Sequence, residues 1–389
     1  MHMELYIAGG CSEHGRNCFL VKGENLSFLV DAGLMKEKPE VPYPDLTEEQ
    51  IGGADYLFLT HAHSDHAGAL PWLLKHGFRG VVVASRPTFD TIPAFRGRRK
   101  TLEDLSGPLE ECMLSGGIAV TWGRSGHCFG SVWYRFRAEG RRLVFTGDYE
   151  EKSLAYRCDR IRDVEADLAV VDCAYGVETE NASVNRDRAR KAVRHWRKKA
   201  VPLFFPVPAD GRGLDVIRLL ADAGVPVVFP DETASRLRDT PETRFWLKKG
   251  FLHSAASLRR ADGKEFASFL SEWEKGPAAF PRGLRRAAIL VSDSQLARPE
   301  NRKAADAVTV AGGQVILTGK QDPASCAKRL LTEHRAEFDR LSVHQNAEEM
   351  EALDKKNRFR YVIPYHSRQS LRFDDRRILV LETGDRVKF

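Results

Sequence analysis

No apolar run in this chain approaches the ~18 residues that a bilayer-spanning helix needs. The amino terminus has no basic segment followed by a long apolar stretch, so no secretory signal is expected. Seven cysteines are an odd number, and none sits in a Cys-x-x-Cys pair, so no disulfide framework is expected and a cytoplasmic setting fits. Internal repeats and low-complexity tracts are absent. Neither sign of charge dominates: a net charge of +6 over 389 residues permits an anionic partner without demanding one.

What is present suffices for a large core. Hydrophobic residues make up 42% of the chain, and its length suggests two or three domains at ~150 residues each. Up to about residue 175, short apolar runs alternate with glycine-rich turns: Leu5–Ile7, Asn17–Val21, Ser27–Val30, Gly80–Ala84, Arg142–Thr146 and Ala169–Asp172. These read as strands. From about Ser183 the pattern changes to a basic helical stretch, Arg186–Lys199, and then to strands near 201–207, 223–229 and 287–291 with helices between. Strands alternating with helices imply a parallel α/β layer. A third stretch, from about Ala324, holds a helix, the run Arg360–His366 and an expected terminal strand Arg377–Leu381.

The most informative segment is Thr60–Trp72. It places His61, His63, Asp65 and His66 within six positions, directly after the apolar run Asp55–Thr60 and before an expected helix start near Gly68. All four side chains are good ligands for zinc or a similar metal. Held together in a core without a cation they would repel or strain one another. A loop at the end of a strand is where a rigid scaffold can aim such groups. Four other residues occupy comparable places: Asp31 and Asp148 end apolar strands, His127 lies in a glycine-rich loop, and His366 ends Tyr361–Tyr365. Taken singly each has a plainer reading, since a strand-end aspartate beside a glycine-containing turn is often turn chemistry and a single histidine near a strand is more often structural.

Together the motifs resemble the metallo-β-lactamase fold and, within it, the β-CASP nucleases. Gly9–Cys18 with Val30–Gly33 resembles the first motif, Thr60–Leu70 the second, Gly126–Ser131 the third and Thr146–Asp148 the fourth. Val171–Gly176, Leu341–His344 and Val362–His366 resemble the three motifs of the β-CASP branch. The resemblance implies an α/β architecture: an αββα metallo-β-lactamase sandwich, residues 1–178 and 323–389, with a β-CASP α/β domain inserted at 179–322. It implies that His61, His63 and His127 hold one zinc, that Asp65, His66 and His366 hold another, and that Asp148 bridges them. Two Zn2+ per chain are thus expected, with Mn2+ an alternative. Asp31 would orient a ligand histidine. His344 would be the general acid, paired with Asp172, and Asp65 would share in catalysis.

The implied activity is cleavage of phosphodiester bonds by a metal-dependent hydrolase with nucleic acid as its partner. The histidine at position 366, where DNA-repair members tend to have valine, favours RNA over DNA. No membrane partner is implied, and homodimerisation is left open. Pro208–Arg212 and Val291–Leu296 sit where nucleic-acid-facing loops would be, making Arg212, Ser292 and Ser294 candidate substrate contacts. Three positions depart from the family pattern: Asn346 replaces the usual aspartate, Asp293 brings negative charge to a loop expected near phosphate, and His366-Ser-Arg replaces His-Gly-Glu. The basic run Arg186–Lys199 reads first as a solvated helix face. Arg96–Lys100 could flank the site, and Cys128 reads as a small buried filler. The histidines at 2, 14, 76, 195, 253 and 334 show no partner pattern. Two other readings stay open: a hydrolase of small esters, thioesters or lactams, and a non-catalytic scaffold.

Overall fold

In the computed structural model the apolar runs become three sheets. Described are residues 3–208, 210–273, 279–368 and 371–389; His2, and Ala209 in the Pro208–Arg212 loop, lie outside them. The first sheet has seven strands in the order Arg386–Lys388, Glu4–Gly9, Cys18–Lys22, Ser27–Val30, Tyr56–Phe58, Val81–Ala84 and Arg98–Thr101. The second has six, in the order Arg358–Tyr365, Glu165–Asp172, Arg141–Phe145, Val132–Ala138, Ala119–Arg124 and Glu111–Met113.

Successive side chains on a strand face opposite ways, and this alternation builds the layers. Tyr6, Ala8, Leu20, Leu29, Leu57 and Val82 face helices and pack on Ile51, Leu70 and Leu73. Their neighbours Phe19, Phe28 and Phe58 face the second sheet. The Phe28 and Phe58 rings lie 4.8 Å and 4.7 Å from that of Phe136, and Phe19 lies 5.4 Å from Tyr365. On the far side of the second sheet, Trp133, Val144, Ala169 and Val171 pack with Met350 and Leu353 of helix Ala347–Asp354. Helices outside two facing sheets make the αββα sandwich. With both sheet faces covered, central strands such as Ser27–Val30 and Tyr56–Phe58 are largely apolar instead of alternating with polar residues. Truncating a ring such as Phe58 to alanine in this layer costs about 3–5 kcal/mol.

The chain divides into two compact units: residues 1–151, 158–181 and 344–389 form one, and residues 152–157 and 182–343 the other. The return to the first unit falls at His344, later than the expected 323. The reason is the third sheet, which is wholly parallel and runs Val227–Val228, Ala288–Ser292, Leu203–Val207, Gln314–Leu317, Ala336–Phe338. Ala336–Phe338 pairs with Gln314–Leu317, so the inserted sheet is complete only beyond Phe338. Lys152–Arg157 joins this unit because the buried Asp215 carboxylate accepts the backbone N–H groups of Leu154 and Ala155 at 2.6 and 2.8 Å.

The expected terminal strand Arg377–Leu381 is reduced to one bridge between Val362 and Ile378. The strand that closes the first sheet is instead Arg386–Lys388, antiparallel to Glu4–Tyr6. Helix Ala182–Lys199 buries Ala182, Asn185, Ala189 and Val193, leaving Lys191, Arg194, Arg197 and Lys198 exposed as a solvated face. Among the described residues, no helix is long and apolar enough to cross a membrane.

Candidate metal centre

Six loops converge because six strands end at one edge of the first unit. Ser27–Val30 and Tyr56–Phe58 run parallel, and Arg141–Phe145, Glu165–Asp172 and Arg358–Tyr365 run parallel in the other sheet. Ala119–Arg124 shares their direction, being antiparallel to a strand that is itself antiparallel to Arg141–Phe145. Asp31, Thr60–His66, His127, Asp148, Asp172 and His366 therefore follow or end strands on the same side. The turns are tight. Asp31 has φ 61° and His366 φ 72°, and non-glycine residues held there store local strain of the kind found at functional sites. A Cβ on Gly33 would lie 1.7 Å from the Asp65 carbonyl oxygen, so only glycine lets this loop lie against the His-rich segment.

The donor atoms form two sets sharing one carboxylate. His63 Nδ1 lies 3.1 Å from both His61 Nε2 and His127 Nε2. Asp148 Oδ2 stands 3.4 Å from each of the latter two nitrogens. On the other side, Asp148 Oδ1 is 3.2 Å from His66 Nε2 and 3.1 Å from His366 Nδ1. Asp65 Oδ2 is 3.1 Å from His366 Nε2 and 3.8 Å from His66 Nε2. Ligands about 2.0–2.1 Å from a tetrahedral cation are about 3.3 Å apart, and most of these separations fall near that value. The set of imidazoles and carboxylates suits zinc or a similar borderline cation. Further evidence of fit is the buried His366 Nδ1, which meets Asp148 Oδ1 at 3.1 Å without hydrogen-bond geometry. The cluster is thus able to hold metal, with one aspartate oxygen turned to each half.

Outer contacts fix the rings. His66 Nδ1 donates to Asp31 Oδ2 at 2.7 Å, which turns its Nε2 lone pair toward the cluster, where the Asn17 amide nitrogen also lies 2.9 Å from it. Asp31 is itself held by the backbone N–H of Thr60 at 2.7 Å and the Thr60 hydroxyl at 2.9 Å. Asp31→Asn is expected to weaken cation binding about 10–100-fold, measured by competition with a chelator. An unchanged affinity would remove the orienting role from Asp31.

The charges in the cluster compensate one another. Burial would raise the Asp148 carboxyl, but His66 and His366 outweigh it and hold the group well below the usual carboxylate range. Burial lowers His366, yet Asp148 and Asp65 raise it to about 10. His61 is pushed down to about 3 by burial and by His66. Imidazoles in such a cluster must shed their protons to become ligands.

Beside this centre, His344 Nδ1 is 3.2 Å from Asp172 Oδ2 and 3.7 Å from Asp148 Oδ2. Asp172 is fully buried and pinned by the backbone N–H groups of Tyr149 and Ala174. Asn346 does not contribute: it caps helix Ala347–Asp354 in a reciprocal pair with Glu349 and donates to the Glu178 carbonyl. The Asp293 carboxylate likewise serves a turn, accepting from Ala297 N, Arg298 N and Asn301 Nδ2. Of the expected substrate contacts, Arg212 donates from Nε to the Leu341 carbonyl. Ser292 ends its strand and Ser294 lies in the following loop, both half-buried. All three belong to the second unit.

Sequence reasoning missed four neighbours. Tyr365 donates its hydroxyl to Asp148 Oδ1 at 3.1 Å, and Asn17 donates to the Asp65 carbonyl at 3.0 Å. The Cys128 sulfur is within ligand range of His61, His63 and His127, and His14 is within range of Asp65 and His366. Their only sequence signal is adjacency to a motif residue or position within the first glycine-rich motif.

Comparison with known proteins agrees with this geometry. The family model described as the metallo-beta-lactamase superfamily matches residues 12–203. The endoribonuclease YSH1 of Kluyveromyces lactis is 25% identical over 252 residues, covering 56% of this chain and 33% of its own length. The transcription termination factor FttA of Methanosarcina mazei is 29% identical over 250 residues, covering 55% and 38%. The chain thus spans about a third of the length of the curated relatives it matches. A crystal structure of a protein of unknown function from Enterococcus faecalis V583 aligns over the whole of both chains with a TM-score of 0.62 at 13% identity, a likeness of fold. Sandwich, donor cluster and relatives coincide: residues 12–203 carry a metallo-beta-lactamase domain, and the chain resembles the β-CASP branch of that superfamily.

Proposed function

We propose that this protein is a metal-dependent hydrolase of phosphodiester bonds, with single-stranded RNA as its substrate and two Zn2+ per chain, or Mn2+ in their place. The observation that carries the reading is the pairing of a shared carboxylate with a separate acid. Asp148 turns one oxygen to each donor set, and His344 lies 3.7 Å from it, backed by Asp172. His61, His63, His127 and Asp148 would hold one cation, and Asp65, His66, His366 and Asp148 the other. Cations held by these residues would supply an activated water and neutralise charge on the phosphate.

The chain's own residues do the rest. His344 donates a proton to the leaving ribose oxygen, a step that otherwise releases a strongly basic alkoxide. Its Nδ1 faces Asp172, leaving Nε2 for the substrate, and the buried carboxylate keeps the ring in that orientation. Support for RNA comes from the relatives, since YSH1 is named an endoribonuclease, and from the histidine at position 366.

End-labelled RNA and DNA incubated with the protein, with and without chelator, test this directly. Shortening of RNA that chelator abolishes and that His63→Ala lacks is the expected result. No metal-dependent shortening of either strand, together with turnover of chromogenic esters or lactams, would replace the nuclease with a small-molecule hydrolase.

A further inference from the structure

His14 lies in a loop whose shape is specified by its neighbours. Glu13 is buried and accepts from Gly10 N at 3.0 Å and from the Arg16 guanidinium at 2.8 and 3.0 Å. Ser12 and Arg16 both take positive φ, 52° and 41°, and Gly15 sits at 110°. Two non-glycine residues in the left-handed region within five positions mark a backbone held by its surroundings. The loop is also tied to the metal centre, because the His366 backbone N–H donates to the Gly10 carbonyl at 2.7 Å. The clamp therefore presents His14, half-buried, beside His366. The two ring centroids are 4.5 Å apart with planes inclined at 53°, and donor atoms of His14, Asp65 and His366 all lie within 4.8 Å of one another.

We propose that His14 supplies a further nitrogen to the cation held by Asp65, His66, His366 and Asp148. This rests on the metal-centre reading above. The inclined rings suit convergence of two imidazoles on one cation better than face-to-face packing. A carboxylate within the same radius adds the charge such a cation needs, and zinc sites can expand from four to five ligands. His14 would make the two halves of the centre unequal, with the Asp65 half holding its cation through more protein donors.

The test uses the full chain and two variants, His14→Phe, which keeps a ring but no donor, and His14→Ala. Zn2+ affinity is measured by chelator competition, ligand geometry by the visible absorption of the Co2+ form, and folding by thermal melting of the metal-free proteins. The wild type is expected to bind two equivalents. Both variants should bind one equivalent as the wild type does and the other at least tenfold more weakly, with a stronger Co2+ band as the coordination number falls. Unchanged affinities and spectra in both variants would overturn the role of His14 while leaving the centre intact. Weakened binding accompanied by a lowered metal-free melting temperature in both would assign His14 to the fold and overturn the proposal equally. A wild type that binds no cation would remove the centre itself.

Discussion

Asp148→Asn should lower kcat/KM on RNA by about 10³-fold or more and release cations from the protein. Its carboxylate turns one oxygen to each donor set: Oδ2 is 3.4 Å from His61 and His127, and Oδ1 is 3.2 Å from His66. An amide keeps the shape but presents one oxygen and one N–H group, so it cannot serve two cations. It also removes the charge that raises His66 and His366 against the effect of burial. Charge stabilisation by a metal centre is worth several kcal/mol at the transition state, and each 1.36 kcal/mol is tenfold in rate. Metal content and initial rates on labelled RNA are the readouts. A variant that keeps two cations and cleaves within tenfold of the wild type would contradict the shared-carboxylate geometry.

His344→Ala should behave differently. A positioned general acid contributes about 10²–10⁴-fold, so RNA cleavage should fall by that factor while metal content stays unchanged. The loss should depend on the leaving group. A ribose alkoxide needs the proton; a nitrophenolate does not, so a nitrophenyl phosphodiester should lose less than tenfold. Asp172→Asn, which keeps the buried side chain near His344 Nδ1 but removes its charge, should show the same pattern more weakly. Equal losses on both substrates would mean that His344 does not protonate the leaving group.

The legible part of the site is the part with no cheaper explanation. Four donors between His61 and His66 have no role in a packed core, so they announce a metal by themselves. Asp148, His127 and His366 do not, because a strand-end aspartate or a lone histidine is ordinary turn or core chemistry; they gain meaning from motif order along the chain. His14 was invisible for a physical reason. Its relation to His366 is made by a backbone hydrogen bond from the His366 N–H to the Gly10 carbonyl and by a Glu13–Arg16 clamp, neither of which marks position 14 as a donor.

The fold follows the same rule. Strands covered on both faces show as short apolar runs, such as Phe28–Val30 and the Leu168–Val171 part of Glu165–Asp172. The edge strand Arg386–Lys388 has exposed arginine and lysine flanking a half-buried valine and gives no such signal. Arg377–Leu381 looks like a strand because Ile378 and Leu379 are apolar, yet Ile378 packs against the outer face of the second sheet and only one bridge forms. The two aspartate-related departures, Asn346 and Asp293, are explained by local backbone needs, a helix cap and a turn.

The most direct test is an anomalous difference map at the zinc edge from crystals of the zinc-loaded protein. Two peaks are expected, about 3.5–4 Å apart, one among His61, His63, His127 and Asp148, the other among Asp65, His66, His366 and Asp148. A single peak, or density that leaves Asp148 bound to one cation only, would contradict the bridged pair on which the chemistry depends.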